Sequence, residues 1–231
     1  FGMAAVAASG AGLNGVAALI GAAIGYIISC GLAGSIRYLA AIVLVYTISF
    51  AFQDTKLASK SVFAPATAAV SALSTGILSS FTSVFTQAPA AAVVLIETVF
   101  SFGGCWFFRE AMSGRERTTE SEELRYAGSV LITAAVLLMA VSQIEIFGAI
   151  SLGRLVAVLI VMTCTLRCGI MTGCTIGTAF GIAMDLTAGG MPFYTMAYAF
   201  AGLLSGMFNR HGRLLFLLSF IIANAAAVAC A

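Results

Sequence analysis

Long apolar runs, separated by only a few polar positions, occupy almost the whole chain. A spanning helix needs about 20 mostly apolar residues. Inside hydrocarbon every backbone N–H and C=O must find its partner within the segment, which a helix achieves. Charged residues make up 9% of the 231 and hydrophobic residues 61%, against roughly 25% and 45–50% in soluble domains. Mean hydropathy is +1.08. Water is therefore not the expected solvent for most of this chain, and its length accommodates roughly ten spans if the loops are short.

Charges, prolines and glycine clusters divide the sequence into an all-α, polytopic transmembrane bundle of about ten helices. Their expected ranges are 1–10, 15–30, 35–52, 62–85, 89–108, 120–142, 152–166, 169–186, 191–208 and 214–231. Pro89 suits an early helical position, and Thr119-x-x-Glu122 fits a capping box ahead of the sixth helix. Residues 109–126 form the only long polar segment, with 109–119 expected as a cytoplasmic loop. Phe1 is not a start methionine and Ala231 lies in an apolar run, so a piece of a longer chain is expected.

Alternating loops permit a charge test. Lys56, Lys60, Arg109, Arg115, Arg117, Arg125, Arg167, Arg210 and Arg213 fall on one face; Arg37 and Arg154 fall on the other. Nine against two is a positive-inside bias, so the first face is expected to be cytoplasmic. The topology-determining positions among them are Arg109, Arg115, Arg117, Arg125, Arg210 and Arg213.

The sharpest pattern is Gly169-x-x-x-Gly173-x-x-x-Gly177-x-x-x-Gly181. At 3.6 residues per turn these glycines form a slowly drifting stripe, against which another helix can approach to backbone contact. Gly202 and Gly206 offer a second small-residue surface. The expected use is close packing within or between subunits; a glycine-lined path is the alternative. Glu97 stands alone in the apolar stretch VLIETVFSFGG. A carboxylate at a helix centre carries an apparent insertion cost of about 2.5–3.5 kcal/mol, so a partner is required. Thr98, Ser101 or the hydroxyls Ser71, Ser74, Thr75 and Ser79 are candidates. Glu97 is either a packing contact or part of an ion or proton relay. Arg154 and Asp185 read as helix-end residues that reach the interface.

Enzymatic chemistry finds little support. His211 is the only histidine, so neither a triad nor a histidine metal cluster can be assembled. Cys164 and Cys168 are one turn apart without further ligands, and read as small apolar residues, with a metal or redox site as the alternative. Acids interleave the bases of 109–126, as on a solvated face, and nothing suggests nucleic acid as a partner.

Several stretches together resemble the membrane region of the stage II sporulation protein E family. They are FGMA at residues 1–4, Arg37-Tyr38-Leu39-Ala40-Ala41, Ile96-Glu97-Thr98 with the aromatic run after it, and Glu122-Glu123. GRLVAVLIV (153–161), CGIMTGCTIGTAFGIAMDL (168–186), YAFAGLLSGMFNRHGRL (198–214) and a last helix with Asn224 complete the series. The resemblance implies a bacterial inner-membrane anchor at the polar sporulation septum, contributing to localisation and self-association among division-septum proteins. It also implies a following cytoplasmic PP2C-type serine/threonine phosphatase, manganese-dependent, that activates the forespore sigma factor. The 231 residues lack the aspartates of such a metal centre, so no catalytic residue, metal or cofactor is expected within them. Glu97, Glu122 and Arg154 match family positions without an assigned chemistry. An independent carrier or channel for a small solute or ion is the alternative.

Overall fold

The computed structural model describes residues 1–58, 60–82, 88–114, 119–146, 150–189, 192–209 and 212–230. Arg115, Arg117, Arg210 and His211 lie outside them, as does part of the loop 109–119. The chain forms two compact units, Phe1–Val130 and Leu131–Ala231.

Unit 1 contains α1 (Gly2–Ser9), α2 (Leu13–Ala51), α3 (Phe63–Thr82), α4 (Ala88–Met112) and the start of α5 (Glu120–Val141). Thr119 offers its carbonyl to the amides of Glu122 and Glu123, and three acids in the first turn of α5 complement the helix dipole. At 39 residues, α2 would measure about 58 Å if straight, far beyond the roughly 30 Å of a bilayer core. It is not straight. Gly31 breaks it with φ 68° and ψ 170°, a backbone conformation open essentially to glycine alone.

The two halves of α2 then fold back on each other. Tyr26 and Tyr38 stack with ring centroids 5.0 Å apart, although a continuous helix would separate the two residues by about 18 Å. Near the far end, the Tyr46 hydroxyl donates to the Ala11 carbonyl at 3.5 Å. Short α1 is apolar throughout and sits in the core, where Met3, Ala4, Val6 and Ala7 are buried. Its neighbours there are mostly small: Ala41, Ala68, Ala72 and Cys105 are wholly buried. Small inner residues let helices approach closely, as membrane bundles require.

Unit 2 holds the rest of α5, then α6 (Leu152–Cys168), α7 (Ile170–Ala188), α8 (Phe193–Met207) and α9 (Arg213–Cys230). Ahead of α6, the two-residue strands β1 (Glu145–Ile146) and β2 (Ile150–Ser151) pair antiparallel. The α6–α7 junction turns at Gly169, with φ 89°. At the other end of α7, left-handed Gly189 donates its amide to the Asp185 carbonyl in a glycine C-cap. Val161, Phe180, Met184, Tyr198 and Phe220 form the core.

The architecture is all-helical, but the expected count of about ten spans needs correction. Nine helices occur among the described residues. Four contain a stretch long and apolar enough to cross a membrane: Leu13–Ala51, Ala91–Met112, Glu120–Val141 and Ile170–Ala188. The difference has two physical sources. Residues 15–30 and 35–52 belong to one broken helical element; α1, α6 and α8 have only 8, 17 and 15 residues, and the apolar stretches of α3 and α9, Phe63–Ser79 and Arg213–Ala227, are also short. At 1.5 Å per residue, α8 is about 22 Å long.

Large apolar side chains face outward. Ile28 is 80% exposed, Val99 70% and Leu214 77%, whereas monomeric soluble proteins rarely present contiguous apolar surface on this scale. Long apolar helices with such exteriors are consistent with a membrane protein.

Candidate functional site

The outward and inward faces of α4 divide by chemistry. Leu95, Ile96, Val99 and Phe100 point outward, while Val94, Ser101, Cys105 and Phe108 are buried. Spacings of seven, four and three place the second set on one helical stripe. Glu97 follows Val94 by three positions and so joins the inner face. There it meets the second half of α2: Arg37 Nη2 forms an ion pair with Glu97 Oε2, and the Tyr38 hydroxyl donates to Glu97 Oε1 at 3.0 Å.

Both oxygens of the carboxylate are thus engaged by cationic or phenolic donors. The Arg37 guanidinium carbon also lies 5.3 Å from the Tyr38 ring centroid, and Tyr26 stacks on that ring from the first half of α2. A cluster of four residues, Tyr26, Arg37, Tyr38 and Glu97, therefore ties both halves of the α2 hairpin to α4. On α3, Gly76 makes room for it: a Cβ there would lie 3.1 Å from Arg37 Nη2 and 2.5 Å from Val94 Cγ1. Arg37 Nε is buried without a hydrogen-bond partner.

Of the hydroxyls expected as partners for Glu97, four are engaged on their own helices, while Ser71 Oγ is buried with no hydrogen-bond partner among the described residues. Thr98 donates to the Val94 carbonyl, Ser74 and Thr75 to that of Ser71, and Ser79 to that of Gly76. Such back-bonding satisfies a hydroxyl locally. Arg37, by contrast, was expected beside an outer loop; it turns inward. Two opposite charges in apolar stretches were visible in the sequence, and their shared outer half was the signal that could have joined them.

In unit 2 the glycine stripe is consumed inside the chain. A Cβ on Gly177 would lie 2.5 Å from the Tyr198 carbonyl oxygen, one on Gly181 2.6 Å from that of Tyr194, and one on Gly202 2.6 Å from that of Gly173. At Gly206 the obstacle is Ile170 Cα, 2.8 Å away. The register runs antiparallel, so α7 and α8 touch backbone to backbone along their length. Gly173 also faces the Thr165 side chain of α6. Gly169 is different: it has nothing within 4 Å and serves the turn through its positive φ.

Asp185 does not reach outward from its helix end. Its carboxylate accepts the amides of Tyr194 and Thr195, each at 2.8 Å, and the Thr195 hydroxyl at 2.5 Å. It thereby satisfies first-turn donors of α8 that no intrahelical carbonyl can reach. At the other end of α8, the Asn209 amide donates to the carbonyls of Thr165 and Leu166, 3.5 and 3.1 Å away, closing α6.

The charged residues read as topology markers sit at helix ends. Arg109 Nη1 donates to the Lys60 and Ser61 carbonyls at 3.2 and 3.3 Å, Arg125 pairs with Glu110 at 3.2 Å, and Arg213 opens α9. Among the described residues, no group of His, Cys, Asp or Glu is arranged to hold a metal ion. Cys30, Cys105, Cys164, Cys168 and Cys174 are free thiols.

No family model, curated protein or solved structure matches this chain.

Proposed function

We propose that this chain is a membrane-embedded anchoring region, of the kind the stage II sporulation protein E family places ahead of its cytoplasmic PP2C-type phosphatase. In this reading the helices hold the protein in the bacterial inner membrane and position it at the polar septum, among the division proteins there. Manganese and catalysis belong to the following domain, and the helices contribute placement.

The observation that carries the reading is the closed Arg37–Tyr38–Glu97 contact. A carrier or channel using Glu97 needs that carboxylate open to a polar path. Here one oxygen is held by Arg37 and the other by Tyr38, as suits a group that fixes helix packing. Cancelling two opposite charges within an apolar bundle also removes much of the penalty each would carry alone. The glycine stripe meets α8 of the same chain, so self-association would draw on other surfaces, such as the apolar exteriors of α2 and α4.

The test is placement in a sporulating bacterium. A fluorescent fusion of the chain should enter the membrane fraction and concentrate at the asymmetric septum. The paired substitution Arg37→Leu with Glu97→Leu should retain that placement, because it removes both charges together. Diffuse membrane fluorescence of the unsubstituted fusion at normal protein level would refute septal anchoring. Placement lost only in the paired variant, at equal protein level, would show that the charges act beyond packing.

A further inference from the structure

Unit 2 carries an arginine that forms no ion pair among the described residues. Arg154 stands in the first turn of α6, and Arg167 in its last; thirteen residues of helix separate them by about 20 Å. Asn209 binds the carbonyls at the Arg167 end, whereas Asp185 and the first turn of α8 gather at the other. Arg154 therefore shares its end of the unit with Asp185, Tyr194 and Tyr198. Its guanidinium carbon lies 4.7 Å from the Tyr194 ring centroid, a cation–π distance that orients the fork.

Among the described residues no carboxylate forms an ion pair with it. Asp185 is committed to two amides and a hydroxyl of α8, and the ion pairs among the described residues are Arg37–Glu97 and Arg125–Glu110. Buried Arg154 Nε has no hydrogen-bond partner. An arginine has five donors in a planar fork matched to carboxylate and phosphate oxygens. At a membrane boundary, an anionic lipid headgroup is the matching partner for such a basic fork.

The surroundings favour one source for that anion. Leu155 and Leu159, 46% and 47% exposed, run along α6 away from Arg154 toward the middle of the helix. Tyrosines beside the charge resemble the aromatic belts that sit at headgroup level. A cation at the rim with an apolar flank beside it matches a molecule having a phosphate at one end and acyl chains at the other.

We propose that Arg154, oriented by Tyr194, binds the phosphodiester of an anionic glycerophospholipid whose acyl chains lie along Leu155 and Leu159. The inference rests on the membrane reading above and adds a specific lipid contact to it.

Thermal unfolding of the chain in neutral detergent micelles tests this, with dioctanoyl phosphatidylglycerol as the probe. The lipid should raise the midpoint saturably, and dioctanoylglycerol, which has the same chains and no phosphate, should not. Loss of charge-assisted hydrogen bonds in Arg154→Gln should weaken apparent affinity by at least about tenfold. Arg213→Gln, at the opposite end of unit 2, should titrate like the unsubstituted chain.

Equal titration of Arg154→Gln and the unsubstituted chain overturns the proposal, as does an equal rise with dioctanoylglycerol. An Arg154-dependent rise of the same size with inorganic phosphate overturns the lipid assignment. Should Arg154→Gln fail to fold, Tyr194→Leu keeps the charge while freeing its orientation and must still lower affinity; an unchanged affinity refutes the geometry. Failure of the underlying membrane reading is seen separately, as a monodisperse folded chain in buffer without detergent or lipid.

Discussion

If the Arg37–Glu97 contact locks α2 to α4, its two charges must be energetically coupled, and a double-mutant cycle measures that coupling. Glu97→Gln and Arg37→Gln each preserve shape while leaving the opposite charge alone. Breaking a fully buried pair costs about 3–5 kcal/mol, and an exposed pair contributes about 0–1 kcal/mol. Both side chains here are 23% exposed, so a cost of about 2–3 kcal/mol is expected for each single substitution, between those limits. Replacing both together removes the unpaired charge, and the double variant should recover about 1.5–2 kcal/mol relative to the sum of the singles, within the range for contacting groups. Tyr38→Phe should cost about 1.5 kcal/mol through loss of one hydrogen bond to a charged acceptor, and less, about 0.5–1 kcal/mol, once Glu97 is Gln, whose amide oxygen is a neutral acceptor. The assay is denaturant unfolding in mixed micelles, followed by the fluorescence of Trp106, the only tryptophan in the chain. It lies on α4, the same helix as Glu97, and so reports unit 1 directly. A coupling energy below about 0.5 kcal/mol, the level expected of independent sites, would refute the lock.

Helical class and several boundaries were legible in the sequence because they depend on local chemistry. Apolar runs, the acidic start of α5 and the glycine near 169 all act within a few residues of themselves. The Glu97 partner was not legible, because it lies 60 positions away and depends on how α2 folds back at Gly31. Composition around Gly31 gave a break but not its angle: Gly21, Gly25 and Gly34 are equally glycine, yet only Gly31 among them takes a positive φ. The glycine stripe was visible as a packing surface, whereas the choice between a neighbouring subunit and α8 depended on tertiary register. Gly169 belongs to the same spacing pattern but to a turn, since periodicity alone does not mark where a helix stops. Asp185 and Arg154 looked alike in sequence, as charges near helix ends. Their environments separate them: one caps α8 through its carboxylate, and the other forms no ion pair among the described residues.

Three further outcomes follow from the geometry. Gly177→Ala should destabilise unit 2 by about 1–3 kcal/mol through overpacking, because its Cβ would press on the Tyr198 carbonyl; Gly103→Ala, with nothing within 4 Å, should be neutral or stabilising in the same thermal assay. Asp185→Ala should cost about 1–2 kcal/mol, the usual penalty for losing an N-terminal cap, while Asp185→Asn, which retains an acceptor, should cost less; equal costs would contradict the capping role. The last concerns the hairpin within α2. Spin labels on cysteines replacing Leu13 and Phe50, both exposed, would stand about 55 Å apart along a continuous helix. With the halves packed side by side, the labels should report about 10–25 Å, the spacing of neighbouring helices plus the label arms. Gly31→Ala meets no atom within 4 Å, so crowding cannot contribute and any effect is backbone strain, about 1–3 kcal/mol for a side chain forced into that region. It should therefore broaden the distance distribution toward longer values without abolishing the fold. A sharp distance near 55 Å in the parent chain would show α2 to be one straight helix, and would remove the Tyr26–Tyr38 stack and the means by which both halves of α2 reach Glu97.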